Sequence, residues 1–203
     1  AGLPVNDVLW HLGDEWDHKP DEDAAFPAGH SYDYCNPDVL LNRLSVTGEG
    51  QLTTPEGIKY RAMWMPNTRR MLPETLEKLV QLVQDGAVII GNRPRYPATL
   101  SLPEKTQERF NKAVSMLWGD TDDATIRKVR RGKVMCNMSV EEAIEALGLE
   151  ADVEADGIQW LHRQTENADW YYVCPPLGQR FEGVVDFAQQ RTVELWNPVN
   201  GNI

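Results

Sequence analysis

A helix and a strand that follow each other closely constrain the fold of this chain more than any other feature. Apolar residues of PETLEKLVQLVQDG (73–86) recur at helical spacing, with Pro73 at the expected start and Gly86 at the expected end. The next five residues, AVIIG (87–91), form an uninterrupted apolar run, which is typical of a strand covered on both faces. This succession predicts an α/β fold, a parallel sheet with flanking helices on both sides.

Other segments extend this pattern in both directions. The further predicted strands are short apolar or branched runs, at 6–13, 59–65 and 132–136. The further predicted helices carry start signals or helical periodicity, and they begin at Asn36–Pro37, span 104–118, or begin at Ser139 with a capping box completed by Glu142. The sequence therefore predicts an α/β domain over residues 1–150.

After Gly148 the pattern changes to short extended runs that are rich in aromatic and branched side chains. These runs are IQWLHRQT, ADWYYVCP, FEGVVDFA and RTVELWNP, and they predict a small antiparallel β segment over 151–203. Four strands rarely complete a β-sandwich, so we expect the start of a truncated one. Exposed sheet edges would favour self-association, which makes a homo-oligomer one expected partner state.

Charge and cysteine content exclude several classes of protein. The chain has 203 residues and a formal net charge of -11, which repels nucleic acid and anionic lipid, and it shows no basic stripe with interleaved aromatics. We therefore expect no nucleic-acid partner, and the absence of a long apolar run predicts no membrane span. Three distant cysteines, Cys35, Cys136 and Cys174, form no disulfide framework and no metal-binding spacing.

Two common sites of α/β proteins are also excluded by the loops that follow the strands. The first buried strand leads into GDEWDHKP, which lacks the glycine-rich turn that phosphate binding needs. The strand AVIIG leads into NRPRYP, so Asn92 stands where a nucleophile elbow would place serine or cysteine. We expect neither nucleotide binding nor a serine or cysteine hydrolase.

A long acidic loop and seven tryptophans leave two alternatives open. The loop is either a solvated acidic segment without a cofactor or a calcium site, and it holds His11, Asp14, Asp17, His18, Asp21, Glu22 and Asp23. Tryptophans within predicted strands are expected in the core, and they are Trp10, Trp64, Trp160 and Trp170. Trp16, in the loop, is the one expected to be exposed for stacking on sugars.

Several separated blocks of the sequence resemble one family. VLWHLGDEWDHKP, GHSYDYCNPDVLLNRLSV, GIKYRAMWMPNTRRMLPETLEKLVQLVQDGAVIIG, IQWLHRQTENADWYYV and VELWNPVNG together resemble the C-terminal part of bacterial α-L-rhamnosidases of glycoside hydrolase family 106. The resemblance implies a flavodoxin-like or glutamine-amidotransferase-like α/β accessory domain, then a partial β-sandwich. It also implies an upstream catalytic barrel in the same polypeptide, a polysaccharide substrate, and a periplasmic or extracellular location.

The resemblance implies that this region supports catalysis and has no catalytic residues of its own. One edge of the sheet is predicted to face the barrel or the substrate, and its residues are His11, Asp14, Asp33, Tyr34, Asn36 and Arg69. Asn36 has the alternative role of a helix cap. Two other functions stay open: a free-standing carbohydrate-binding module, and an independent hydrolase that uses carboxylates of the acidic loop.

Overall fold

The computed structural model describes residues 2–14, 25–66, 68–100, 103–119, 126–189 and 192–202. Within these residues the helices are α1 (Pro37–Asn42), α2 (Pro73–Asp85), α3 (Glu104–Trp118) and α4 (Val140–Ala146). The strands are β1 (Leu3–Pro4), β2 (Val8–His11), β3 (Tyr32–Cys35), β4 (Ser45–Val46), β5 (Leu52–Thr53), β6 (Lys59–Tyr60), β7 (Ala62–Met65), β8 (Arg70–Met71), β9 (Val88–Gly91), β10 (Tyr96–Pro97), β11 (Ile126–Val129), β12 (Gly132–Met135), β13 (Val153–Glu154), β14 (Gln159–Gln164), β15 (Asp169–Cys174) and β16 (Asp186–Phe187).

The central element is a six-stranded sheet with the strand order β11-β12-β9-β7-β2-β3. Strands β3, β2, β7, β9 and β12 pair in parallel, and β11 pairs antiparallel with β12 at one edge. The other described sheets have two or three strands, and most of their pairs are antiparallel. The fold is therefore a mixed α/β fold with several sheets.

Each face of the central sheet packs on its own apolar core. Because side chains alternate along a strand, Leu9 and Met63 point to one face while Trp10 and Trp64 point to the other. Helices α1, α2 and α3 contribute to the first core, and α4 contributes Val140, Ala143 and Ile144 to the second. This two-sided burial explains why β2 and β7 are short runs in which every residue is buried.

The four predicted helices are present and begin where predicted, although α1 ends at Asn42. The side chain of Asn36 accepts a hydrogen bond from the backbone N–H of Val39 (2.9 Å), so it caps α1. Helix α2 begins at Pro73, and it ends before Gly86, whose φ of 128° suits a glycine. Ser139 and Glu142 form the predicted capping box of α4.

The strand predicted over residues 59–65 is two strands in the structure. Strand β6 belongs to a small antiparallel sheet with β5, whereas β7 belongs to the central sheet. The chain changes sheet at Arg61, whose backbone N–H donates to the carbonyl of Asp7 (2.7 Å). The sequence of 59–65 did not reveal this change of partner because no glycine or proline separates the two halves.

Three of the four strands predicted in the C-terminal region are present among the described residues, and the short strand β13 was not predicted. Strands β14 and β15 form a hairpin with six residue pairs, and β1 from the other end of the chain pairs with β14. The run FEGVVDFA contributes only β16, which pairs with β13. The strand predicted in RTVELWNP is wrong: residues 192–197 form no strand, and no described strand pairs with them. The division into 1–150 and 151–203 stays a prediction.

Two of the tryptophan predictions are confirmed, and one is wrong. Trp10 and Trp64 lie in the second core. Trp160 is only half-buried, and Trp170 is exposed because it lies on the outer face of the hairpin, where the side chain of Trp196 contacts it (5.7 Å between ring centres). Trp16 lies outside the described residues. Among the described helices, none combines the length and the hydropathy that a membrane span requires.

Candidate functional site

The six residues predicted at the edge of the sheet lie near the carboxyl ends of its strands, but most of them are used to hold the fold together. Asp14 shows this most clearly. Its two carboxylate oxygens accept hydrogen bonds from the backbone N–H of Leu72 (2.8 Å) and from the hydroxyl of Thr75 (2.9 Å). Leu72 precedes α2 and cannot cap that helix with its own side chain. Asp14 therefore supplies the missing cap and places a negative charge at the helix N-terminus.

Asp33 holds β3 to the small antiparallel sheet. Its carboxylate accepts a hydrogen bond from the hydroxyl of Tyr60 (2.9 Å), which lies buried in β6. Burial raises the pKa of Tyr60 far above its usual range, and the negative charge of Asp33 raises it further. Tyr60 is consequently a stable hydrogen-bond donor at any physiological pH, and Asp33 is engaged by it.

Tyr34 lies on the opposite face of β3, in a cluster of aromatic rings. Its ring centre is 5.4 Å from both Trp10 and Tyr32, and Phe26 packs on Tyr32 at 4.7 Å. The hydrogen bond between the two tyrosine hydroxyls (3.5 Å), together with burial, raises the pKa of Tyr34 to about 12. Tyr34 is still 49% exposed, so it presents one ring face to the surroundings at the outer strand of the sheet.

His11 and Cys35 lie side by side at the ends of β2 and β3, an arrangement that the sequence did not indicate. They are direct partners in the parallel ladder, and both are buried. A cysteine beside a histidine suggests a nucleophile, but burial raises the pKa of Cys35 to about 12. Its thiol donates to the carbonyl of Asn36 (3.4 Å), which also favours the protonated form. Cys35 therefore acts as a core residue.

Asn92, which stands in the position of a nucleophile elbow, joins two strand ends. Its side-chain oxygen accepts a hydrogen bond from the backbone N–H of Asn137 (2.9 Å), so it links the segment after β9 to the segment after β12. Asn137 has a φ of 55°, and asparagine tolerates this left-handed conformation better than most residues. The amide thus has a structural role here.

Arg69 belongs to a basic surface of which the sequence pattern indicated only this one residue. Strand β8 follows the end of β7, strand β10 follows the end of β9, and the two pair in parallel. This pairing brings together three exposed arginines and an exposed tyrosine, which we call the basic ribbon: Arg69, Arg70, Arg95 and Tyr96. The segments NTRRM and NRPRYP each follow an apolar strand, and this repetition was the signal that could have revealed it.

The most tightly bonded polar group lies in the C-terminal region, and we call it the His162 cluster: His162, Asp152, Asp169 and Tyr171. His162 is 4% exposed, and its two ring nitrogens lie 2.6 Å from Asp152 and 3.1 Å from Asp169. Tyr171 stacks on the imidazole at 4.1 Å and donates its hydroxyl to Asp152 (2.7 Å). These contacts join β14, β15 and the segment that precedes β13.

The charge of His162 follows from its two neighbours. Burial lowers the pKa of His162, but the carboxylates of Asp152 and Asp169 outweigh burial and raise the pKa above its usual value. The imidazolium is thus the favoured form up to a higher pH than in an isolated histidine. Burial and Asp152 also raise the pKa of Tyr171 far above its usual range, so its hydroxyl remains a donor. The cluster is a buried, hydrogen-bonded ionic network, suited to holding strands together.

The described residues contain no group of three or more histidine, cysteine, aspartate or glutamate side chains arranged to hold a metal ion. Of the acidic loop, Asp17, His18, Asp21, Glu22 and Asp23 lie outside the described residues, so the calcium alternative stays a prediction. A cleft of about 400 Å³ opens at the amino ends of the strands, near the first residues of β9 and β12. None of the six predicted residues lines it.

Two known proteins resemble this chain closely enough to indicate its class. The structure of a rhamnosidase from Novosphingobium sp. PP1Y matches with a TM-score of 0.75 and 26% sequence identity, over 85% of this chain and 17% of that one. A protein from Formosa agariphila named "Putative beta-glucuronidase" is 27% identical over 212 residues, which is 100% of this chain and 17% of that protein. This chain therefore spans about a sixth of each, and its relatives are glycoside hydrolases.

The family of this chain is shown by a match that covers the whole sequence. The family model described as α-L-rhamnosidase, glycoside hydrolase family 106, matches residues 1–203. The chain belongs to this family, as the sequence blocks indicated. The match assigns no role to individual residues, so the roles of the basic ribbon and the His162 cluster depend on their chemistry.

Proposed function

We propose that this chain is a non-catalytic accessory region of an α-L-rhamnosidase-like glycoside hydrolase, and that it supports a catalytic domain upstream in the same polypeptide. One observation carries the proposal. The polar side chains near the carboxyl ends of the strands, where α/β proteins bind substrates, are bonded to the chain itself. Asp14 caps α2, Asp33 accepts from Tyr60, and Asn36 caps α1.

These bonds are what a supporting surface requires and a hydrolytic site does not. Glycoside hydrolysis needs two carboxyl groups about 5–9.5 Å apart, facing a sugar between them. Asp14 and Asp33 instead face donors within the fold, and each would lose a hydrogen bond by turning to a ligand. The residues left to contact another domain are Tyr34, which is half exposed, and Arg69, which is exposed.

The strand order supports a more specific description of the accessory domain. Numbered along the chain, the five parallel strands take the order 2-1-3-4-5 across the sheet, which is the flavodoxin-like order. We infer that the domain is a flavodoxin-like or glutamine-amidotransferase-like domain with Asn92 in place of the nucleophile. The substrate of the whole enzyme would be a plant or bacterial polysaccharide, and the family resemblance supports a periplasmic or extracellular location.

The alternative function, a free-standing carbohydrate-binding module, is favoured by one feature of the C-terminal hairpin. Its outer face presents Leu161, Trp170 and Tyr172, all exposed. Flat aromatic surfaces of this kind suit the apolar face of a sugar ring. The same face would equally suit a second sheet of a β-sandwich, so the two functions differ in what covers it.

Two activity measurements test the accessory role. We expect the isolated chain to hydrolyse no aryl α-L-rhamnoside, while a longer polypeptide from the native host, identified by intact mass and by peptides of this chain, hydrolyses it. In that polypeptide, Asp14→Ala should lower the melting temperature and leave kcat/KM unchanged, since its carboxylate caps a helix. Glu145→Gln, on the exposed face of α4, is the control. Turnover by the isolated chain, or a loss of kcat in Asp14→Ala without a loss of stability, would contradict the proposal.

A further inference from the structure

The basic ribbon concentrates positive charge on an otherwise acidic molecule. The backbone N–H groups of Arg95 and Tyr96 both donate to the carbonyl of Arg69 (2.9 and 3.2 Å). Arg70 and Tyr96 are direct partners in the parallel pair. These bonds place Arg69, Arg70 and Arg95 on two adjacent backbone segments, although the net charge of the chain is -11.

Within the described residues, these arginines contrast with Arg43 and Arg109, which are exposed and form ion pairs. Arg43 pairs with Glu56, and Arg109 pairs with both Glu74 and Glu77. Within the part of the chain that the structure describes, no carboxylate forms an ion pair with Arg69, Arg70 or Arg95. Three arginines on two adjacent backbone segments carry like charges, so a bound anion would offset the repulsion between them.

Tyr96 adds a second kind of contact to the ribbon. It is 57% exposed, and the guanidinium of Arg70 lies 5.8 Å from the centre of its ring. This cation–π contact holds the guanidinium against the aromatic ring. A planar aromatic face can stack on the apolar face of a pyranose, and a guanidinium can grip a carboxylate with two parallel hydrogen bonds. A sugar that carries a carboxylate satisfies both groups at once.

The ribbon also lies where ligands of α/β folds are usually bound. Arg69 and Arg70 follow the carboxyl end of β7, and Arg95 and Tyr96 follow the carboxyl end of β9. Loops at this edge carry the ligand contacts in open parallel sheets, because the strands fix their starting points rigidly. The ribbon is itself a paired element, so its backbone is ordered before any ligand arrives.

We propose that the basic ribbon is a binding site for the uronic acid residues of an acidic glycan. The arginines Arg69, Arg70 and Arg95 bind the carboxylate, and Tyr96 stacks on the sugar ring beside it. An acidic segment of a protein would supply carboxylates for the arginines, but it has no sugar ring on which Tyr96 could stack. This region would thus bind a ligand of its own. The proposal is independent of the supporting role proposed above, because binding needs no catalytic domain.

Calorimetric titration of the 203-residue chain tests the site directly. The probe is trigalacturonic acid at low ionic strength, and its fully methyl-esterified form is the neutral control. We expect heat of binding with the acid only, and a weaker affinity as salt is added. Arg70→Gln and Arg95→Gln should each weaken the affinity about tenfold, since each removes a charge-assisted hydrogen bond. Tyr96→Ala should weaken it as well, because the stacking surface is lost.

Arg109→Gln is the matched control, because Arg109 is an exposed arginine that already has two carboxylate partners. We expect it to bind trigalacturonic acid as the unaltered chain does. The proposal is overturned if the acid shows no binding, if the methyl ester binds equally well, or if Arg109→Gln weakens binding as much as Arg70→Gln. Hexaglutamate that binds as tightly, with no effect of Tyr96→Ala, would assign the ribbon to an acidic polypeptide. Circular dichroism confirms that each variant is folded.

Discussion

The central sheet and the C-terminal sheet are held in register by opposite kinds of contact. The central sheet is apolar on both faces, and its strand β2 is buried along its whole length. The sheet of β1, β14 and β15 has the ionic His162 cluster on its inner face, and exposed Leu161, Trp170 and Tyr172 on its outer face. The polar side is inside and the apolar side is outside.

The difference matters because the two kinds of contact respond differently to change. Apolar burial has no directional requirement, so neighbouring side chains can partly fill a gap that a substitution leaves. A buried ionic network depends on the position of each atom. A charged group that loses its partner still bears its full desolvation penalty. The C-terminal sheet should therefore depend on fewer residues, and each should matter more.

The largest effect is expected from His162→Ala. The substitution leaves Asp152 and Asp169 with two negative charges next to a cavity, and breaking a buried pair in this way costs about 3–5 kcal/mol. Hydrogen exchange should show that β14 and β15 lose protection while β2, β7 and β9 keep theirs. Urea unfolding gives the magnitude. If protection is lost equally in both sheets, the two regions are one cooperative unit and the comparison fails.

A slightly smaller effect, with a different distribution, is expected from Leu79→Ala in the first core. Leu79 is fully buried in α2, and truncating a leucine at such a site costs about 3 kcal/mol through lost burial and a residual cavity. The loss of protection should extend over the central sheet, because α2 packs on it. The same exchange experiment measures it, and Leu79→Met, which preserves the volume, is the control. Equal destabilisation by both variants would indicate a polar or strained site.

The His162 cluster also predicts a dependence on pH that the central sheet lacks. The pKa of His162 is higher in the folded chain than in the unfolded chain, so protonation stabilises the fold. This stabilisation is complete below about pH 6.5, the usual value for histidine, and is lost as the pH rises through the folded pKa. The stability of the C-terminal sheet should thus decline on the alkaline side.

Two measurements check this dependence. The histidine ring signals in a nuclear magnetic resonance titration give the pKa of His162 directly, and exchange protection of β14 and β15 should fall over the same pH interval. His162→Gln should remove the decline while Glu145→Gln keeps it. A folded pKa at or below 6.5 would mean that burial dominates over the two carboxylates, and the network would then be held by neutral hydrogen bonds.

The contrast between the two sheets also explains what could be predicted from the sequence. Helix α2 was predictable because Pro73, Gly86 and the apolar stripe are signals within one short segment. The bonds from Asp14 to Leu72 and Thr75 were not, because they join residues 58 and 61 positions apart. The pairing of β1 with β14 joins the first residues of the chain to the C-terminal hairpin, and no local pattern indicates it.

The candidate site was predicted unevenly for the same physical reason. The role predicted for the six edge residues stays a prediction, and a sequence does not show that Tyr60 would engage Asp33. Arg69 was identified without Arg70, Arg95 and Tyr96, because the ribbon exists only once β8 pairs with β10. The strand predicted in RTVELWNP shows the same limit: its residues alternate as in a strand, but no described strand forms backbone pairs with them.

The smallest effect is expected on the outer face of the hairpin, and it tests whether that face is packed. Leu161 is 66% exposed, so Leu161→Ser removes little burial and should change the free energy of unfolding by less than about 0.5 kcal/mol. Urea unfolding of the isolated chain measures the change. A loss near 2 kcal/mol that grows with protein concentration would show that a second copy covers this face. In such a dimer the outer face would be buried, as both faces of the central sheet are. The difference between the two sheets would then exist only in the monomer.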